Sequence, residues 1–372
     1  MEVNKKPNFL IIFLDFILFF SSFQCFAASG SYLSSVQDII KEIRPQPSFD
    51  DIESFLRASP KVDKTHSIEE SAEKITEYIF KKLKIKADQS YLSRAQKDNI
   101  LPDGVLTSKK GHCVGLTILF LLIGEKNGLD VGLVRAPDHV FPRICNQSKC
   151  LNIEMLRGGD IKTNDYYIKN LFISKDALAK KLYLQTLKSP LELKASIYLG
   201  LGYVANYAKQ KGLAELFYTK SIENSTTFAE PYSNRAAIYV ETGRLDQAKQ
   251  ELKKALSINP THYASLVNLG VIENNQGHIK EALQYYDRSL KVNPLAVKAY
   301  RRRASIYEST KDNKRAILDL ERILIIEPKF CDVIEAKVRL KRSYDKSYDA
   351  TEDSQKLSQL VSQKSCLYLP VQ

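Results

Sequence analysis

The chain has 372 residues, of which 44 % are hydrophobic and 26 % charged. That composition excludes a mainly disordered or collagen-like protein and leaves room for two domains. The formal charge of +12 is spread with both signs interspersed, so it forms no basic stripe of the kind that marks nucleic-acid binding, and no nucleic-acid partner is expected. Past residue 30 no apolar run approaches the roughly 20 residues needed to cross a bilayer, which excludes a polytopic membrane protein.

In chain order, the first 27 residues carry Lys5 and Lys6, an apolar stretch over 9–23, and the small-x-small end Cys25-Phe26-Ala27. This is the pattern of a secretory signal cleaved after Ala27, so the protein is expected to be exported, periplasmic or secreted. Asp15 interrupts the stretch and makes an uncleaved N-terminal membrane anchor the second choice, because a charge is costly to hold in lipid. Cleavage leaves five of the six cysteines: Cys113, Cys145, Cys150, Cys331 and Cys366. An odd count in an oxidising compartment leaves one thiol free. Cys145 and Cys150 flank the polar tetrapeptide Asn146-Gln147-Ser148-Lys149 and are the expected cross-strand pair of a hairpin. Nothing in the sequence says whether Cys331 and Cys366 meet, and Cys113 is then the expected free thiol.

Ser67-Ile68-Glu69-Glu70 is a capping box that opens a helix with Ile75, Ile79 and Leu83 on one side. From Cys113 to Lys126 the chain is apolar nearly all round, which predicts a buried helix rather than a surface one. Three β-like runs follow, at 131–135, 140–145 and 150–155, separated by turn residues. A central helix followed by antiparallel strands is an α+β layout, expected over residues 28–190.

Cys113 lies in Gly111-His112-Cys113-Val114-Gly115-Leu116-Thr117, at the head of the buried helix and half-exposed there. A helix N-terminus lowers a thiol's pKa, and the same backbone N–H groups can hold an oxyanion. His139 follows at the start of a strand and Glu154 on the next strand, where a hairpin would bring the two side by side. Asn152 serves equally as the orienting group if the register is shifted. An acid beside a histidine beside a thiol is the general arrangement for nucleophilic acyl transfer. The spacing of Cys113, His139, Cys145 and Cys150 resembles no zinc ribbon or finger, so neither a metal nor a cofactor is expected. His66, His112, His262 and His278 are read as incidental.

Gly-x-Cys-x-x-x-Thr, then His-Val-Phe on a strand, then an acid on the next strand, resembles the transglutaminase-like cysteine superfamily, closest to a bacterial subgroup in which this core precedes helical repeats. Gly158-Gly159 and Tyr166-Tyr167-Ile168 suit the same subgroup. The resemblance implies a papain-related fold over 28–190 with nucleophile Cys113, base His139 and orienting acid Glu154. Two departures stand out: the acid is Glu where Asp is usual, and Phe141 stands where Trp is frequent.

In the second half Pro260, Pro294 and Pro328 recur every 34 residues, a period that means stacked units. At matching offsets lie Gly202, Ala236, Gly270 and Ala304, then Ala214, Ala248, Ala282 and Ala316. Large residues fill companion offsets: Tyr198, Tyr232, Leu266 and Tyr300 early, Tyr218, Leu252, Tyr286 and Leu320 late. Gly243 and Gly277 mark turns, replaced by Lys209 and Lys311 in the outer units. These residues resemble the tetratricopeptide repeat, in four units at 195–228, 229–262, 263–296 and 297–330, with a capping helix at 331–344 and a polar tail at 345–372 whose residues 345–365 read as mobile. The resemblance implies a groove for a protein or peptide partner. Asn268, Lys298 and Arg302 fall at three of the five offsets of the family's carboxylate clamp, with Ser233 and Ala237 at the other two; Tyr203 and Tyr207 pack in the core or line the groove or the domain junction.

The expected architecture is therefore an α+β papain/transglutaminase-like domain followed by an all-α solenoid. Two functions suit it: a cysteine hydrolase or acyltransferase acting on peptide or amide bonds, or a non-catalytic scaffold of the cell envelope whose first domain is degenerate.

Overall fold

The computed structural model describes residues 31–44, 47–63, 65–88, 99–363 and 365–367; the expected leader, residues 1–27, lies outside them. The chain forms two compact units. One contains the residues up to Tyr167 together with Tyr183–Ser225, the other Ile168–Leu182 together with Thr226–Gln372.

The first unit opens with α1 (Tyr32–Ile43), α2 (Asp50–Ala58) and α3 (Ile68–Glu77), which runs on into a π-helical turn, Tyr78–Lys82. Both reciprocal bonds of the Ser67–Glu70 capping box are made, so the start of α3 is fixed by its own sequence. A short strand β1 (Lys86–Ala87) lies parallel to β2 (Lys110–Gly111), with α4 (Pro102–Ser108) between them. Next comes α5 (Cys113–Lys126), whose first twelve residues are all buried. A helix apolar on every side can only be stable with protein on every side. Burying its Leu, Ile and Phe side chains stabilises the unit by about 1.5–3 kcal/mol each before entropy is subtracted.

Part of that cover is an antiparallel sheet of β3 (Asp130–Ala136), β4 (His139–Cys145), β5 (Cys150–Glu154), β6 (Asp160–Lys162) and β7 (Thr186–Leu187), ordered β6-β5-β4-β3-β7. β3 and β4 are joined by Pro137-Asp138 alone, with Ala136 opposite His139. Pro supplies the first turn dihedral and Asp138 takes the second at φ 54, a type II-like turn that sets His139 as the first residue of its strand. Two short helices, α6 (Asn164–Asn170) and α7 (Lys175–Ala179), lie between β6 and β7 in the chain. More of the cover comes from α1 to α4 and from α8 (Pro190–Tyr207), which packs on both α1 and α5 and forms with α9 (Lys211–Asn224) a first helical hairpin that belongs to this unit. Lys194 pairs with Asp38 at 2.7 Å, and Lys220 and the Tyr198 hydroxyl both reach Glu42.

The second unit stacks α10 (Ala229–Glu241), α11 (Leu245–Ile258), α12 (Tyr263–Asn275), α13 (Ile279–Val292), α14 (Val297–Ser309) and α15 (Asn313–Ile326), then α16 (Cys331–Tyr344) and α17 (Thr351–Ser362). Within each helical hairpin the small and large offsets are matched in size. A Cβ on Gly270 would lie 2.5 Å from the Tyr286 ring, and one on Gly202 would collide with Tyr218. Where the small residue is Ala236 or Ala304, its partner offset holds the smaller Leu252 or Leu320, in the same core clusters. Gly243 and Gly277 turn the chain at positive φ, and Lys209 and Lys311 adopt the same left-handed conformation at 62° and 65°, so the outer hairpins keep the turn without the glycine.

The stretch expected to be mobile is instead ordered by α17. Leu360 packs with Cys331 and Ile334, Lys337 pairs with Asp353 at 2.7 Å, and Cys331 is disulfide-bonded to Cys366. Composition hides this because a few anchors hold an otherwise polar helix. Among the described residues no helix is long and apolar enough to cross a membrane.

Candidate active site

Cys113 is the first residue of α5, and its thiol is free. The sequence placed it half-exposed; it is only 3 % exposed. The depth comes from the start of α5 being pressed against the preceding segment: a Cβ on Gly115 would lie 2.7 Å from the Asn99 carbonyl. The His112 N–H donates to that same carbonyl at 2.8 Å, which fixes the chain as it enters the helix.

His139 and Glu154 meet because of strand parity. Arg143 opposes Asn152 in the β4–β5 ladder, and alternate residues share a face, so Glu154, one pleat beyond Asn152, and His139, two pleats from Arg143, lie on that face too. His139 Nε2 is 2.8 Å from Glu154 Oε2, and both side chains are nearly buried, at 12 % and 6 % exposure. The other Glu154 oxygen accepts from the Leu156 N–H at 3.1 Å, so the carboxylate is held at both ends. Asn152, the alternative orienting group, is taken: it accepts from Arg143 Nε at 2.6 Å and donates to Asn164 Oδ1 at 2.9 Å.

With Nε2 given to Glu154, His139 Nδ1 is the nitrogen left for sulfur, and His139 is hydrogen-bonded to Cys113. Burial by itself works against a thiolate at Cys113. The charge and hydrogen bond of His112, followed by those of His139, outweigh it and hold the thiol down at about 5. Burial also opposes an imidazolium at His139, but the bonds to Cys113 and Glu154 raise it well above the ordinary histidine range. Glu154 is kept below the usual carboxylate range: burial pushes it up, and His139, the Leu156 N–H and Tyr167 overcome that push. At neutral pH these directions favour thiolate, imidazolium and carboxylate in a row.

Two residues missed in the sequence complete the site. His112 Nδ1 lies 3.2 Å from the Cys113 sulfur; its one available signal was adjacency to the cysteine. Tyr167 is buried, its ring stacked on Phe141 with centroids 3.9 Å apart, so the Phe that stands where Trp is frequent carries a ring against it. The Tyr167 hydroxyl interacts with Glu154 and is pushed far up by burial and then by that carboxylate. Tyr203 donates to Asp138 Oδ1 at 3.1 Å, beside His139 in the β3–β4 turn. Tyr207 is half exposed.

The cysteines expected to pair across the hairpin are bonded: Cys145 and Cys150 face each other in the ladder, Cα atoms 4.1 Å apart. In the second unit Asn268 lies on α12, its amide donating to the Ser233 carbonyl at 3.4 Å. Lys298 and Arg302 are one turn apart on α14, which contacts α12. Among the described residues no group of three or more His, Cys, Asp or Glu side chains is arranged to hold a metal ion.

Residues 31–187 match the Transglutaminase-like superfamily, and residues 239–304 match the Tetratricopeptide repeat. Curated relatives include Anaphase-promoting complex subunit 3 of Schizosaccharomyces pombe, 27 % identical over 30 % of this chain and 17 % of its own length. Another is Small glutamine-rich tetratricopeptide repeat-containing protein 2 of Saccharomyces cerevisiae, 32 % identical over 31 % of this chain and 33 % of its own length. The chain thus spans a third or less of these relatives. Among solved structures, Pseudomonas aeruginosa PilF aligns over 45 % of this chain and 77 % of its own at 17 % identity and a TM-score of 0.42. MamA of Desulfovibrio magneticus aligns over 46 % and 97 % at 16 % identity and a TM-score of 0.38. The chain carries, in this order, a transglutaminase-like superfamily domain and tetratricopeptide repeats.

Proposed function

We propose that the protein is an exported cysteine hydrolase or acyltransferase acting on amide or peptide bonds, with repeats that bind a protein partner. The observation that carries this reading is the free Cys113 thiol at the head of α5, hydrogen-bonded to a histidine whose other nitrogen is 2.8 Å from a buried glutamate. In the first half-reaction the thiolate attacks the carbonyl carbon, forming a C–S bond and pushing an electron pair onto oxygen. The first-turn N–H groups of α5, which have no acceptor within the helix, would face that oxyanion. As the tetrahedral adduct collapses the C–N bond breaks, and the His139 imidazolium gives the leaving nitrogen its proton. A thioester and a neutral imidazole remain. Water or an amine then attacks the thioester, His139 takes the incoming proton, and the thiolate is expelled. Throughout, Glu154 holds the ring and compensates its charge.

Export is supported by the leader-like residues 1–27 and by two disulfides, Cys145–Cys150 and Cys331–Cys366, of the sort kept in oxidising compartments. For the partner, Asn268, Lys298 and Arg302 are the proposed contacts to a peptide's C-terminal carboxylate.

The enzyme reading is tested with p-nitrophenyl acetate as acyl donor. The expected result is a nitrophenolate burst equal to the protein concentration, absent in Cys113→Ala and slowed in His139→Ala. A wild-type trace identical to Cys113→Ala removes the enzyme reading and leaves the scaffold.

A further inference from the structure

We propose that His112 is a second histidine partner of the Cys113 sulfur, stabilising the thiolate without joining the catalytic proton path. The inference rests on the reading of Cys113 as a nucleophile and assigns a further residue to that site.

Position alone would make His112 a helix cap. It is the N-cap of α5, yet its side chain makes no capping hydrogen bond; Nδ1 lies instead 3.2 Å from Cys113 Sγ. The backbone around it is clamped, with the His112 N–H on the Asn99 carbonyl and the Asp88 N–H on the Gly111 carbonyl, both at 2.8 Å. Asn99 Nδ2 in turn donates to Asp88 Oδ2 at 2.7 Å. Burial opposes a charged His112, as does the His139 charge, but the charge and hydrogen bond of Cys113, followed by that carboxylate, outweigh them and raise the ring above the ordinary histidine value. Among the described residues, the titratable groups facing the sulfur and its two rings are thus Asp88, His112, His139, Glu154 and, behind the last, Tyr167.

The two histidines divide the work. His139 gives up its proton when the amine leaves and is then neutral. His112 takes no part in that transfer and still stabilises negative charge on sulfur when the thioester is broken. A thiol of lower pKa is the faster leaving group, so His112 serves deacylation as well as attack.

The test is the pH dependence of iodoacetamide alkylation of Cys113 in the full chain, followed by peptide mapping. Burial slows alkylation equally at every pH, so the midpoint, and not the absolute rate, is read. Wild type is expected to titrate near 5. His112→Asn removes the ring while keeping a good N-cap residue. It should raise the midpoint by about one unit or more, which at about pH 6 lowers the thiolate fraction from about nine-tenths to about one-half or less. His112→Gln, of similar length, should do the same. His139→Ala should leave a midpoint still below the ordinary value of about 8.5, and the double variant should reach it. A wild type that titrates near 5 together with His112 variants that share its midpoint overturns the His112 assignment and spares the nucleophile. A wild-type midpoint in the ordinary thiol range overturns the nucleophile reading, and this one with it.

Discussion

Glu154→Gln is the sharpest perturbation of the site, because it changes charge and proton count without changing shape. The Leu156 N–H can still be accepted by the amide oxygen, which keeps the 3.1 Å bond to the turn after β5. The amide nitrogen then faces His139 Nε2 and can only donate. Nε2 must give up its proton, so the ring becomes neutral, with its proton on Nδ1 toward the sulfur. A hydrogen bond to a charged group is worth about 1.5–3 kcal/mol, and exposures of 12 % and 6 % leave little solvent to screen it. At 1.36 kcal/mol per decade, the acylation rate constant should fall by roughly 10- to 150-fold. Rapid-mixing measurement of the nitrophenolate burst reads that rate, and the alkylation midpoint of Cys113 should rise in parallel. Stability gives an independent sign. The folded Glu154 carboxyl is held below its ordinary value, so its contribution is present above that value and lost as pH falls through the folded one. Glu154→Gln should therefore lose less stability on acidification than wild type. A variant that acylates at the wild-type rate with an unmoved midpoint would refute the orienting role of Glu154.

Three other outcomes follow from the packing and the groove. Gly270→Ala places a Cβ 2.5 Å from the Tyr286 ring and should destabilise the second unit by about 1–3 kcal/mol; Tyr286→Leu in the same chain should recover part of this, and chemical denaturation showing simple additivity would contradict the size-matching. Cys366→Ser opens a disulfide that spans 35 residues, worth about 4 kcal/mol by chain entropy, and hydrogen exchange should quicken across α17; unchanged exchange there would mean its other anchors suffice. Lys298→Ala and Arg302→Ala should each weaken a peptide with a free C-terminal carboxylate by about 1–3 kcal/mol in calorimetry, whereas an amidated peptide binding as tightly as the free acid would remove the clamp.

Features with a strong local cause were legible in the sequence. The apolar run over 113–126 has no stable conformation except a buried helix, and it forms one with those bounds. The 34-residue period placed each small residue opposite its large partner, although the size matching of Gly with Tyr and Ala with Leu became visible only in packing. Residues 139 and 154 meet because strand parity puts them on one face, which the sequence implied once the hairpin was placed at 146–149. The same rule could not separate Glu154 from Asn152, since both are on that face; Arg143, recruited from the neighbouring strand, decides it. Two features depend on contacts remote in the chain and left no local trace. The depth of Cys113 comes from Asn99 pressing on Gly115, and the order of α17 comes from a disulfide and a handful of contacts to α16. His112 reads as incidental in the sequence, and only the direction of its ring, toward sulfur, gives it a role.

The most direct measurement of the central claim is the mass of the Cys113 peptide after brief reaction with p-nitrophenyl acetate and an acid quench. An acetyl group on that peptide, lost on incubation at neutral pH and regained with fresh ester, is the predicted result. Acetylation confined to lysines, with the Cys113 peptide unmodified, would contradict the account.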